Sequence, residues 1–424
     1  MPGGAHLDPS VYRRRRIAAA LGLLAALVVA YVVGGAIFSL FDDDESGSEV
    51  ETAGADGGDD GAATDDADGA ATDETTTTAS TTTTTTPVPA TERTLELVET
   101  IGGELSSKSV VASDDGYVIA QNMMYRHTMS VFDRDFNLVE TISDSIRPAD
   151  FGLDFDPGVT LQGAPVEASF TPDGSAAYVS QYHMYGPGFG PEPSDACPDM
   201  STDNSFIYRV NMETFAIDDV IQVGTVPKFL AVSPDGQWVV VANWCSYDIS
   251  VVDVEAGTEV ARIDAGRYPR GVAFTPDSSE VFVAVMGGDQ LMRIDMDTLD
   301  VTSRITVSGR PRHLVMGPEG QFLYVSRQNL NDIVKIDIGT EQIVGTATTG
   351  DAPRSMDLSD DGTAMYVANY HSNTLSKVLT ADMSEVQELP TGVHPIGVTY
   401  DDETEQVWVA NYSGTIMVFE DRVG

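Results

Sequence analysis

The sequence predicts an all-β fold: a seven-bladed β-propeller closed by its own N-terminal strand, after a single transmembrane helix and a disordered acidic, Thr-rich spacer. Three observations lead there. Short apolar runs alternate with turn residues, one turn motif recurs at near-constant spacing, and the last repeat lacks a strand that the start of the domain supplies.

Residues 223–266 define the unit. FLAVS, QWVVVAN, ISVVD and EVARID alternate apolar and polar positions, separated by Pro234-Asp235-Gly236, Ser246-Tyr247-Asp248 and Glu255-Ala256-Gly257. Strand residues bounded by Gly, Pro, Asp and Ser make tight antiparallel hairpins. One four-stranded sheet has two raw edges and too little core to stand alone, so the unit implies neighbours.

From the N-terminus, residues 1–16 read as a cytoplasmic tail ending in Arg13, Arg14, Arg15 and Arg16. Residues 17–41 carry no charge. At about 1.5 Å per residue they reach ~37 Å, enough for a hydrocarbon core of about 30 Å. Asp42, Asp43, Asp44 and Glu45 follow, so the positive-inside rule puts the N-terminus in the cytoplasm and the rest outside. The run is longer than the apolar core of about 7–15 residues in a cleaved signal, so it is expected to stay as an anchor in the cell membrane. Residues 42–90 hold no Lys, Arg, Ile, Leu, Phe, Tyr or Trp and end in threonine runs at 75–78 and 81–86. They cannot bury a core and read as a solvated spacer, setting the domain roughly 40 Å from the anchor.

The propeller is expected over 91–424. Its turn motif appears at 113–116, 171–174, 233–236, 275–278, 317–320, 359–362 and 400–403, as SDDG, TPDG, SPDG, TPDS, GPEG, SDDG and YDDE. A period near 42 residues with four strands per unit means propeller blades. Two longer intervals hold insertions, at 144–162 and 183–204. The last unit stops after its third strand, and residues 95–101 (LELVETI) match the missing fourth. Closing the ring this way removes an edge that would otherwise invite aggregation.

The chain has 66 acidic and 23 basic residues, for a formal net charge of −43. Asp8, fourteen acidic residues of the spacer and four arginines precede Thr91, leaving 51 acidic against 19 basic residues in the domain, a net of −32. Such a domain is a poor passive partner for nucleic acid. Cys197 and Cys245, both outside the reducing cytoplasm, are expected to form a disulfide. The 183–204 insertion is rich in Gly and Pro and short of apolar residues, so burial is not expected to hold it; the cross-link would.

With Pro269-Arg270 ahead of an inner strand, SPDG at 233–236 and Val367-Ala368-Asn369-Tyr370 closing another, the units resemble the YVTN repeats of YncE-type seven-bladed propellers. The resemblance covers about four-fifths of the chain. It implies the fold and little about activity, since the repeat is mostly a folding device.

Topology then sorts candidate residues. The loops leading into strand one and those joining strands two and three share a face, the mouth; the Asp-Gly turns lie on the other, and turn chemistry alone explains them. The slot counted back from each turn, which follows a lead-in Pro in every blade but the first, reads Lys108, Val166, Lys228, Arg270, Arg312, Arg354 and Ile396. Five cations in an acidic domain read either as an anion-binding rim or as bridges between blades. The same face should hold His127, His183, Trp244, His313, Tyr370, His371, His394 and Tyr412. No HxH, HExxH, CxxC or GxSxG spacing occurs, so no catalytic residue and no cofactor are expected, and a metal at the mouth has no spacing to support it. The expected function is a membrane-anchored, extracytoplasmic, non-catalytic module binding a small anionic ligand or an envelope protein through its mouth. The alternative is a propeller enzyme, a lactonase-like hydrolase or a metal- or quinone-dependent oxidoreductase, using the same mouth.

Overall fold

The computed structural model describes residues 88–197 and 203–424. The segments read above as a tail and a membrane anchor, and nearly all of the expected spacer, lie outside the described residues. Among the described residues no helix is long and apolar enough to cross a membrane.

Seven four-stranded antiparallel sheets follow one another along the chain. Blade 3 shows the pattern: Pro227–Val232, Trp238–Asn243, Asp248–Asp253 and Thr258–Asp264, each pairing with the next. Its second strand is apolar on both sides because blades pack face to face; Val240, Val241 and Ala242 are fully buried. The fourth strand, at the rim, returns to alternation: along Thr258–Asp264 exposed positions alternate with half-buried ones. Core clusters therefore lie between blades, as where Val240 and Val251 of blade 3 meet Val272, Val283 and Met292 of blade 4.

The ring closes as the sequence predicts. Blade 7 takes Pro395–Asp401, Gln406–Asn411 and Thr415–Val423 from the C-terminus and Arg93–Ile101 from the N-terminus. The N-terminal strand begins two residues earlier than read from the sequence, and structure begins earlier still. Ala90 is buried and its N–H donates to Asp361 at 2.9 Å. Behind the seam, Lys377 of blade 6 donates to Asp421 of blade 7 at 2.6 Å and to the carbonyls of Ala90 and Arg93 at 2.8 and 2.9 Å. Tyr366 donates to the same carboxylate at 2.7 Å. Lys377 is 1% exposed and Asp421 0%.

The Asp-Gly turns satisfy themselves. In blade 3 the Ser233 hydroxyl donates to Asp235, whose carboxylate also accepts the Gln237 N–H. Gly362 shows why glycine ends such a turn: its φ is +63°, and a Cβ there would stand 2.7 Å from Pro318 of the preceding blade.

The two insertions depart from expectation by forming a joint lobe. Ser145–Ile146 pairs with Leu161–Gln162, and Gln162 bridges to Tyr185 of the second insertion. Phe151, Phe155 and Phe189 then pack on a cluster containing Leu161, Met184 and Phe206. The second insertion is thus held by burial as well as by a cross-link: Met184 and Phe189 find in the first insertion the apolar surface they lack in their own segment.

Candidate functional site

The mouth is built by one device repeated around the ring. In blades 2 to 7 a lead-in loop is tied to the loop after strand two, as where Trp244 N–H donates to Val226 O, Met286 to Tyr268, Tyr370 to Ala352 and Tyr412 to His394, at 2.8–3.0 Å. The residue before the lead-in Pro is left-handed in five successive blades, at Val226, Tyr268, Arg310, Ala352 and His394, with φ of 55–62°. A left-handed non-glycine residue costs on the order of 1–3 kcal/mol and persists only where its surroundings impose it. Pro lacks an N–H for the ladder, and the register slips just after it in blades 2 to 7. Lys228, Arg270, Arg312 and Arg354 all sit in these bulges, where the strand re-aims its side chains. Lys108 precedes the strand of blade 1, which has no bulge.

The cations sense one another. Burial lowers the pKa of Arg312 well below the usual arginine value, with Arg270 and Arg310 adding repulsion. Arg312 donates to Gln328 at 2.6 Å, while its Nε has no hydrogen-bond partner among the described residues. Arg354 lies over the Tyr370 ring at 3.4 Å, and Lys108 over Tyr412 at 5.0 Å.

The second insertion reaches into this ring. Cys197 and Cys245 are bridged, their Cα atoms 5.4 Å apart. Two residues before the bridge, the Asp195 carboxylate meets Lys228 Nζ at 2.6 Å and accepts the Tyr182 hydroxyl at 2.6 Å. Trp244 Nε1 donates to the Asp195 carbonyl at 2.7 Å, and Lys228 stands 4.3 Å from the Trp244 ring centroid. Burial brings the Lys228 ammonium down to about 7 against the pull of Asp195, with Arg270 and Lys108 opposing its charge. Crowding at the mouth would raise Asp195, but its side chain keeps 63% of its surface accessible, and Lys228, Tyr182 and Lys108 hold it below the usual carboxylate range.

Glu167 of blade 2, absent from the sequence reading, also belongs here. Burial pushes its carboxyl up to about 7, offset by the Ser109 hydroxyl donating to it and by Arg270. Asp195 falls in no repeated slot, and Glu167 takes the position after the cation slot, where other blades carry Phe229, Gly271, His313, Ser355 and Gly397. The one signal for Asp195 is that it lies two residues from Cys197, whose partner adjoins Trp244.

The structure divides the histidines. His127 and His183 flank Tyr185, at 5.2 and 5.0 Å between centroids, and bond the carbonyls of Gly163 and Gly190. His371 and His394 both contact Tyr370, with His394 stacked on it at 4.3 Å. His313 stands apart from both pairs, edge-to-face with Phe229 at 5.1 Å. Among the described residues no three or more of His, Cys, Asp and Glu gather so as to hold a metal ion.

Burial, then Arg270 and Arg312, depress His313 to about 3 from 6.5. Below about pH 6.5 the unfolded chain therefore takes up a proton that the folded chain refuses, and stability falls as the pH drops toward 3. Between pH 7 and 5 this term should remove about 1–2 kcal/mol. Urea midpoints of wild type and His313→Gln measure it: wild type should lose more than the variant over that interval, and parallel losses would remove the assignment.

Open clefts lie elsewhere as well. One, on the Asp-Gly face, is lined by Asp114, Asp357, Asp360, Asp401 and Asp402, with Asp401 already paired to Arg134 at 2.8 Å.

The fold and mouth define a seven-bladed β-propeller with a cationic ring at one end of its channel. The family described as "Lactonase, 7-bladed beta-propeller" matches residues 318–384, from the second strand of blade 5 into the fourth of blade 6. Hydrazine synthase from Kuenenia stuttgartiensis is similar in structure, with a TM-score of 0.62 and 17% identity over 76% of this chain and 98% of that one. At that identity the likeness is one of fold. No curated protein matches the chain.

Proposed function

We propose that this chain is a membrane-tethered, extracytoplasmic binding module whose mouth takes a small anionic ligand. The observation that carries the reading is the convergence of Lys108, Lys228, Arg270, Arg312 and Arg354 at one end of the channel, in a domain of net charge −32. Low-dielectric walls around like charges focus their field on the space between them. The unmet Nε of Arg312 adds a donor for an incoming oxygen. An envelope protein docking on the mouth would use the same charges.

Arg270→Gln and Arg312→Gln should each weaken binding of a small anion about tenfold, as charge-assisted hydrogen bonds of some 1.5–3 kcal/mol predict. The loss should shrink as salt is raised. Calorimetric titration at two ionic strengths reads it. If the same variants bind normally and mainly melt lower, the cations serve the blades instead.

A second reading has specific support. Glu167, at about 7 and beside Arg270, has the acidity of a general acid–base group, and the lactonase match falls on the same propeller. In this reading Glu167→Gln abolishes hydrolysis of a small lactone while leaving anion binding in place.

The tether is read from residues 13–16, 17–41 and 42–90. Protease added outside intact cells should release the propeller by cutting in the spacer while the arginine-rich end stays protected. A propeller that resists release by outside protease would refute the placement.

A further inference from the structure

We infer that the mouth is a carboxylate site and that Asp195, carried in by the second insertion and latched by Cys197–Cys245, is its built-in occupant, which a free small carboxylate must displace. This rests on the anion-binding reading above and names its ligand class.

Four independent observations meet at Asp195. Its two oxygens are engaged separately, Oδ2 by Lys228 at 2.6 Å and Oδ1 by the Tyr182 hydroxyl at 2.6 Å, as a bound acid would be. The field of the ring converges on it, since Lys108, Arg270 and Arg312 all interact with the same carboxylate. The segment that presents it is seated by its backbone: the carbonyls of Asp195 and Ala196 accept from Trp244 and Tyr268 at 2.7 and 3.2 Å. Finally, the bridge two residues on ties the segment to the loop that carries Trp244, so Asp195 cannot leave far while it is intact.

Asp195 lies on an insertion, outside the repeat. A carboxylate needed only to balance Lys228 could stand on a neighbouring blade, as Asp421 does for Lys377. Here it arrives on a loop with its own latch. A tethered group competes at an effective concentration in the millimolar range or above, so wild-type protein binds free carboxylates weakly. Arg312, whose Nε has no partner among the described residues and which Arg270 and Arg310 repel, leaves a place for a second carboxyl group and favours a ligand with two. The Trp244 and Tyr182 rings beside Lys228 suit a short carbon chain between them.

The test uses the full-length chain, with succinate as probe and inorganic phosphate as the comparison, read by calorimetry and by Trp fluorescence. Asp195→Asn should bind succinate at least tenfold more tightly than wild type, and more tightly than it binds phosphate. The double variant Cys197→Ser/Cys245→Ser, which keeps Asp195 but frees its loop, should also bind more tightly than wild type. Adding Arg270→Gln should abolish the gain in both. If both variants leave succinate affinity unchanged or lower it while Arg270→Gln still weakens anion binding, the plug is refuted and the anion site stands. Tighter binding of phosphate than of succinate by Asp195→Asn overturns the carboxylate assignment. If no variant binds either anion, the binding reading fails with it.

Discussion

A chain that starts at Ser106 is expected not to unfold as a single cooperative domain, whereas one that starts at Thr85 is expected to behave like the whole propeller. Removing Arg93–Ile101 strips the fourth strand from blade 7 and exposes the full length of Thr415–Val423 as an edge. It also empties the position of Leu95, 2% exposed among Tyr366, Leu375 and Val398, where one buried side chain contributes about 1.5–3 kcal/mol. Gln387 of blade 6, which both donates to and accepts from Leu95 at 2.9 Å, loses both partners. Urea titration followed by circular dichroism and Trp fluorescence should give non-coincident transitions for the shorter chain. An unchanged midpoint and slope would mean that the seam contributes nothing. A start at Thr91 should already be weaker than one at Thr85, because Ala90 and its bonds go with the removed residues.

Lys377→Met is expected to destabilise the propeller by about 3–5 kcal/mol, the usual cost of leaving one partner of a buried ion pair alone. Asp421 would stay at 0% exposure with the Tyr366 hydroxyl and no counter-charge in contact, Arg93 acting on it only at longer range, and the carbonyls of Ala90 and Arg93 would lose their donor. The double variant Lys377→Met/Asp421→Leu should recover part of the loss, since apolar replacement of a buried pair is often close to neutral. Chemical unfolding of the three proteins checks this. Equal destabilisation in the single and double variants would show that the carbonyl contacts, and not the charge pair, carry the effect.

Seven blades, their boundaries and the shared closing blade were legible because each rests on a local pattern. Turn chemistry marks SPDG, period-2 alternation marks the strands, and the count of strands in the last unit leaves one missing. The cation slot was legible for the same reason: it is counted back from a turn and follows a Pro in every blade but the first. That the slot is a β-bulge was not, because a bulge is a property of two strands in register and Pro alone only permits it. The left-handed residues before the Pro are five different side chains, Val226, Tyr268, Arg310, Ala352 and His394, and have no composition in common to reveal them. Compartment and chain position predicted the disulfide, and the bridge is present. The lobe made by the insertions escaped because each supplies apolar surface only for the other. Asp195 escaped because an acidic residue among 66 carries no mark of its own; only its approach to Lys228 distinguishes it.

The seam has a mechanical side. Whatever precedes Val88 in the chain must pull on the fold at that residue, and Val88 leads directly into the strand that closes the ring. Tension drawn along that strand would load all of its pairs with Thr415–Val423 in parallel, so they would resist together. Tension drawn across it would peel the pairs one at a time from Arg93, whose side chain holds the Val88 carbonyl at 2.8 Å and Glu405 at 2.8 Å. The buried Lys377–Asp421 pair then stands just behind the point where a peel would start, gripping the carbonyls of Ala90 and Arg93. A propeller pulled from its own closing strand would open as a clasp does, and this one carries a buried ion pair at the clasp.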